Sequence, residues 1–141
     1  MKLNVYFLKI FSIFVICIAT LSLVSSKSRN KGAYFKTCRE LKLIGSTLSG
    51  LCQDMRQRWK PTSLDLGGCI TNNNGNLQTG GAAYQNSTKN CQLLAFKTLS
   101  CLSQTINGQW RRSSIFLDNH ISNINGVLKF DNCKNPLPPP Q

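Results

Sequence analysis

Five acids, one histidine and seven cysteines are the residues of this 141-residue chain that could carry acid–base, nucleophilic or metal chemistry. General acid–base work needs two positioned titratable groups, and a Ser or Cys nucleophile needs a base beside it. The acids are Glu40, Asp54, Asp65, Asp118 and Asp131, and His120 is the sole base of the neutral range. A secreted ribonuclease using His120, Glu40 and an arginine is the one catalytic set these types allow, and they form no motif. With no C-x-x-C and a single His, a metal site lacks ligands. The chain therefore reads as a non-enzyme without cofactor or metal. What it has in quantity is Asn, Ser, Thr and Gln, whose short amides and hydroxyls suit hydrogen bonding to sugar hydroxyls. The same residues also make turns, and composition leaves the two readings even.

The elements that must position those polar groups are announced by a repeat. Residues 59–77 read WKPTSLDLGGCITNNNGNL, and residues 110–128 read WRRSSIFLDNHISNINGVL. Aligned without a gap they share eight identities in nineteen columns: Trp59/Trp110, Ser63/Ser114, Leu66/Leu117, Ile70/Ile121, Asn72/Asn123, Asn74/Asn125, Gly75/Gly126 and Leu77/Leu128. Chance gives about one, so two copies of one supersecondary unit are expected. Each copy predicts a strand from the Trp, then a hairpin with its tip at Asn74-Gly75 or Asn125-Gly126, because both turn residues tolerate positive φ. Leu66-x-x-x-Ile70 and Leu117-x-x-x-Ile121 place two apolar side chains on one face of a single helical turn, plugging the core. No acid recurs between copies: Asp65 aligns with Phe116, Asp118 with Gly67, and His120 with Cys69.

Lys2 and Lys9 precede an apolar run over residues 10–24 that ends at Ser25 and Ser26, the order of a secretory signal peptide. About fifteen apolar residues fall short of the roughly 20 that span a bilayer, so residues 1–26 read as a signal, with no membrane span after cleavage. Cys17 would leave with it. The six remaining cysteines allow fifteen connectivities. The repeat narrows them: Cys38 and Cys52 flank the first hairpin of copy one, Cys91 and Cys101 flank the same place in copy two, and Cys69 and Cys133 are left to each other. The Cys91–Cys101 hairpin reads as the tighter one, spanning ten positions where Cys38–Cys52 spans fourteen. Without Lys2 and Lys9, fifteen basic residues face five acids, a net charge of +10 over residues 27–141. Such a charge favours anionic surfaces in general. The basic residues are scattered, with only the short clusters 56–60 and 111–112 and a single Trp at each (Trp59 and Trp110) rather than a series of stacking aromatics, so specific nucleic-acid binding is not expected.

In chain order, residues 27–33 read as a flexible basic start. The domain is expected over 34–133, with copy one over 34–79 and copy two over 85–131. Leu41 to Ile44 and Leu48 to Gln53 read as strands around a Gly45-Ser46 turn, and residues 54–58 as a polar loop. A small-residue hinge lies at 78–83. Asn86-Ser87-Thr88 is an N-glycosylation sequon in an expected loop. Copy two opens at Asn90-Cys91, Asn107-Gly108 marks another hairpin turn, and residues 134–141 form a Pro-rich tail.

The pattern F-x-T-C, a hairpin closing at a second Cys, then W-x-x-[TS]-S-[LI]-x-L-x-x-x-I-x-N-x-[ND]-G-x-L, occurring twice, resembles the cyanovirin-N homology family over about residues 34–131. That resemblance implies an all-β, elongated, pseudo-twofold fold of two tandem repeats with strand exchange and short 3-10 turns, each half built from strands of both repeats. It also implies a lectin for high-mannose or α1,2-mannose glycans on glycoproteins or cell walls. Family members exchange halves through the linker into dimers; the third cysteine pair makes this chain mainly a monomer by expectation. Carried over residue by residue, one sugar site falls on Lys36, Thr37, Gln53, Met55, Asn123, Ile124 and Asn125. Gln53 stands where the prototype has an acid, and Met55 where it has a hydroxyl. A second, weaker site falls on Thr71, Asn72, Asn73, Asn90, Ser103 and Gln104, where a glycan on Asn86 would lie over it. The rival reading is a basic secreted effector or antimicrobial protein that keeps the scaffold and contacts anionic surfaces.

Overall fold

A computed structural model describes residues 33–133. Signal segment, basic start and Pro-rich tail fall outside these residues, except Ala33. Ten strands and four short 3-10 turns make an all-β fold. Strands β1 (Cys38–Ile44), β2 (Thr47–Gln53) and β3 (Trp59–Asp65) form one antiparallel meander. Strands β4 (Ile70–Asn73) and β5 (Asn76–Thr79) follow as a hairpin. The same sequence of elements then recurs as β6 (Thr88–Leu94), β7 (Thr98–Gln104) and β8 (Trp110–Phe116), followed by the hairpin β9 (Ile121–Ile124) and β10 (Val127–Phe130).

Turn chemistry fixes these elements locally. Asn74 and Gly75 have φ of 49° and 83°, and Asn125 and Gly126 of 54° and 87°, the left-handed pair that a two-residue hairpin needs. Gly45 and Gly108 likewise sit at positive φ in the turns after β1 and β7. Each meander also carries a bulge at an equivalent place, where Glu40 (φ 55°) and Asn90 (φ 52°) break the register of β1 and β6.

The hairpins are exchanged between halves. β9–β10 packs beside β3, where Leu128 N–H donates to Thr62 Oγ1 at 3.0 Å, and β4–β5 packs beside β8, where Leu77 N–H donates to Ser113 Oγ at 2.8 Å. One half is therefore β1–β2–β3 with β9–β10, and the other β6–β7–β8 with β4–β5. A single core runs through both, and Tyr34, Leu48, Leu66, Ile70, Tyr84, Leu99, Leu117 and Ile121 are buried in it. Leu66 and Leu117 open 3-10 turns, so the expected plugs are present. Asp65 caps the first of them, its Oδ1 accepting from Gly67 N–H at 2.8 Å. Tyr34 crosses between halves, donating its hydroxyl to Phe96 O at 2.6 Å.

Three disulfides staple this frame: Cys38–Cys52, Cys69–Cys133 and Cys91–Cys101. The pairing follows the repeat, but two details of the sequence reading are corrected. Copy two opens earlier, with Tyr84 matching Tyr34 and β6 starting at Thr88. Its hairpin is also not tighter, since β6 and β7 each have seven residues like β1 and β2. The strand pair facing as Cys38 and Cys52 do is Thr88 and Ser103, and Cys91–Cys101 sits inward of it, within the bulge. Equal sequence roles thus hide a shifted staple. Ser103 takes the place of Cys52 with no exposure, and its hydroxyl has no hydrogen-bond partner among the described residues. An orphaned buried hydroxyl costs about 1–3 kcal/mol, so Ser103→Ala is expected to leave stability unchanged or raise it by about 1 kcal/mol in urea melts.

Candidate functional site

A single hydrogen-bonded frame is built twice, once per half, at the seam where a hairpin tip meets the loop after a second strand, and each seam with its exposed rim residues is a candidate binding cleft. In the first, the β9–β10 tip leans on the loop after β2. Asn123 Nδ2 donates to Gln53 O at 2.9 Å and to Thr37 Oγ1 at 3.0 Å, while its Oδ1 accepts from Gly126 N–H at 2.8 Å. Met55 N–H donates to Asn125 Oδ1 at 3.0 Å. In the second, the β4–β5 tip leans on the loop after β7. Asn72 Nδ2 donates to Gln104 O at 2.8 Å and to Ser87 Oγ at 3.0 Å, and its Oδ1 accepts from Gly75 N–H at 2.8 Å. Ile106 N–H donates to Asn74 Oδ1 at 2.9 Å. Both asparagine side chains thus anchor three segments at once: the turn before a first strand, the end of a second, and a hairpin tip.

The local sequence explains why these groups converge. A two-residue Asn-Gly turn brings the side chain two positions upstream back over its own Gly amide. The Gly has no Cβ, and the tip needs that space. A Cβ on Gly75 would lie 2.6 Å from Arg111 Cδ, and one on Gly126 would lie 3.1 Å from Lys60 Cδ.

The first cleft is braced by a residue that the sequence reading left in a plain polar loop. Asp54 is buried, and its Oδ1 accepts from Arg56 N–H at 2.8 Å and Arg58 N–H at 3.0 Å. Its Oδ2 accepts from Arg58 Nε at 2.9 Å and lies 3.4 Å from Lys60 Nζ. Burial alone would raise this carboxyl, but the hydrogen bonds from Arg58 and Arg56 outweigh it and hold the pKa at about 2. In the other half Thr105 plays the same part with a neutral hydroxyl, accepting from Gln109 N–H at 3.1 Å. The pH consequence is one-sided. A depressed carboxylate pKa means that the bracing is complete above the ordinary value of about 4 and is lost as pH falls through about 2. Protection of the Arg56 and Arg58 amides, taken relative to intrinsic exchange, is therefore expected to fall between pH 4 and 2, while that of Gln109 holds.

Of the residues carried over for the first site, Thr37, Gln53, Met55, Asn123 and Asn125 are brought together. Ile124 is part of the same tip, and Lys36 is exposed at the end of the turn Tyr34–Lys36. For the second site, Thr71, Asn72 and Asn73 lie on β4 and Gln104 ends β7. Two members lie apart from the Asn72 frame. Ser103 is fully buried because alternate side chains of β7 point inward, and Asn90 stands at the β6 bulge, lining a different depression of 260 Å³ with Tyr84 and Leu43. Ser87, Asn74 and Ile106 join that frame instead. The repeat itself held that signal: Asn74 is the partner of Asn125, and Ser87 follows Tyr84 by three positions as Thr37 follows Tyr34.

His120 lies with its ring stacked on Phe130, centroids 5.9 Å apart, and Glu40 stands at the β1 bulge 3.7 Å from Arg39. Among the described residues no three His, Cys, Asp or Glu are grouped to hold a metal, and no helix is long and apolar enough to cross a membrane.

Comparison with known proteins matches this architecture. The model of the CVNH domain matches residues 34–129. A cyanovirin-N homolog from Tuber borchii is 33% identical over 87 residues, which is 61% of this chain and 84% of that protein. The solved structure of that CVNH superposes with a TM-score of 0.64 at 32% identity, over 70% of this chain and 98% of its own. Microvirin, in its mannobiose complex, gives a TM-score of 0.61 at 31% identity, over 67% of this chain and 94% of its own. A variant of MoCVNH3 shares the fold at 20% identity with a TM-score of 0.67 over 70% of this chain and 97% of its own. The duplicated Trp-to-Leu unit, the exchanged hairpins and these matches agree: the chain belongs to the cyanovirin-N homology family.

Proposed function

We propose that this protein is a secreted, extracellular lectin that binds mannose-type oligosaccharides without metal, cofactor or catalysis. The observation that carries the reading is the frame built twice, with Asn123 and Asn72 each holding a turn, a strand end and a hairpin tip, beside exposed residues such as Thr37, Met55 and Asn125. Such a frame fixes amides, hydroxyls and backbone groups in position before a ligand arrives, which lowers the ordering cost of binding. Microvirin, which shares 31% of its residues with this chain, is known in complex with mannobiose, and this supports mannose as the sugar. α1,2-linked mannose at the ends of high-mannose glycans, on glycoproteins or cell walls, is the ligand we assign. The first cleft is the stronger because an ionic brace stiffens its loop, and the protein works mainly as a monomer.

A second reading keeps the scaffold but uses the charge. Part of that charge has partners: Arg58 and Lys60 face Asp54, Arg39 lies 4.1 Å from the Trp59 ring centre, and Lys89 lies 4.0 Å from that of Trp110. Lys36 and Arg56 remain exposed beside the first cleft. Calorimetric titration with an α1,2-linked dimannoside at low and moderate salt separates the two readings. Saturable binding that salt barely alters supports the lectin. No binding at millimolar sugar, with salt-sensitive binding to anionic vesicles, sinks it in favour of the charged surface.

A further inference from the structure

We infer that Asn86 carries an N-linked glycan that covers the second cleft, so that the glycoprotein offers only its first cleft to soluble mannose. The inference rests on the secreted, mannose-binding reading above. Asn86 begins the sequon Asn86-Ser87-Thr88 and is exposed on the turn Tyr84–Ser87. Its backbone N–H closes that turn by donating to Ala83 O at 3.1 Å, while its side chain makes no hydrogen bond among the described residues. A glycan there breaks no hydrogen bond among the described residues.

Its position is what gives the modification a consequence. The next residue, Ser87, is a wall of the second cleft, taking hydrogen bonds from Asn72 Nδ2 on both its hydroxyl and its carbonyl. By the repeat, Asn86 stands where Lys36 stands in the first half, at the rim of the cleft. A glycan therefore rises from the edge of the second cleft and from nowhere near the β9–β10 tip. Attachment forms a bond from Asn86 Nδ2 to the anomeric carbon of an oligosaccharide held on a lipid diphosphate. The anomeric C–O bond breaks, the lipid diphosphate leaves with the electron pair, and the amide loses one proton. Once attached, the mannose arms are present at an effective concentration on the order of millimolar. A free sugar of equal intrinsic affinity must reach a comparable concentration to displace them.

The test uses the full chain from a eukaryotic secretory host that leaves N-glycans in high-mannose form, compared before and after endoglycosidase H trimming to a single GlcNAc. Intact mass reads the modification, and Asn86→Gln is expected to abolish it; an unmodified secreted chain overturns the proposal. Amide NMR shifts of residues 72–75 and 104–106 are expected to change on trimming while those of 123–126 stay put. Unchanged shifts throughout overturn the covering. Dimannoside stoichiometry is expected to rise from about one to about two on trimming, and one site in both forms overturns the masking. If neither form binds dimannoside, the mannose reading itself fails, while mass and shifts still decide whether a glycan sits over this cleft.

Discussion

Replacing Asn123 by Ala is expected to weaken dimannoside binding at the first cleft by roughly 10- to 100-fold. Its side chain joins Thr37, Gln53 and Gly126 through three hydrogen bonds of 2.8 to 3.0 Å. Each such bond contributes about 1 kcal/mol net, and each 1.4 kcal/mol is tenfold in affinity. Asn123 acts here as a positioning residue, so the loss comes from a tip that no longer sits against the residue 54–58 loop. A merely destabilised protein would lose melting temperature and keep its affinity below the melt. The expected result is the reverse emphasis: a large affinity loss at 25 °C in a chain still folded by circular dichroism. Asn72→Ala in trimmed or unglycosylated protein should do the same to the second cleft and leave the first intact. Equal affinity in Asn123→Ala and wild type would remove the last hairpin from the sugar site.

Removing the Cys69–Cys133 bond through paired Ser substitutions is expected to cost about 2–4 kcal/mol, the range for a long closed loop. The bond links residues 64 positions apart and ties the turn before β4 to the end of the described chain. For a domain of about 100 residues each kcal/mol moves the melting temperature by about 4–8 °C, so the midpoint should fall by about 8–30 °C. A second effect follows from its place. Residues 78–83 join the two repeats, Gly80 adopts φ of 88°, and each half is already built from strands of both repeats. Straightening that linker lets a second chain supply the missing half, which is a low-cost route to a swapped dimer. With the bond intact, β4 and the chain end stay together and opening is resisted. Size-exclusion chromatography after concentrated refolding should therefore show more dimer in the Ser variant than in wild type. An unchanged melting temperature would mean that the exchanged hairpins alone hold the ends.

Much of the fold was legible because its signals are local. Asn-Gly pairs specify left-handed turns whatever surrounds them, and Leu66/Ile70 and Leu117/Ile121 mark core plugs by spacing alone. The cysteine pairing followed once the repeat was seen. Of the residues carried over, Thr37, Gln53, Asn123 and Asn125 meet in one hydrogen-bonded frame, whereas Ser103 and Asn90 do not meet Asn72. Proximity to a cysteine in sequence was a poor guide there, because a strand alternates its faces and one step turns an exposed position into a buried one.

By itself, then, the sequence determined the duplicated unit, the all-β class, the turn positions and the three cysteine pairs, since each depends on residues within a few positions or on comparison of one copy with the other. Tertiary structure decided the rest. Only the folded chain shows that Cys91–Cys101 sits inward of the place held by Cys38–Cys52, that Ser103 fills the vacated place with an unpartnered hydroxyl, and that Asp54 is buried under its own arginines. Only the exchange of hairpins brings Asn123 against Thr37, 86 positions away, and Asn72 against Gln104, 32 positions away. The physical reason is that burial and cleft geometry belong to pairs of segments far apart in the chain, and no local propensity encodes which of them will meet.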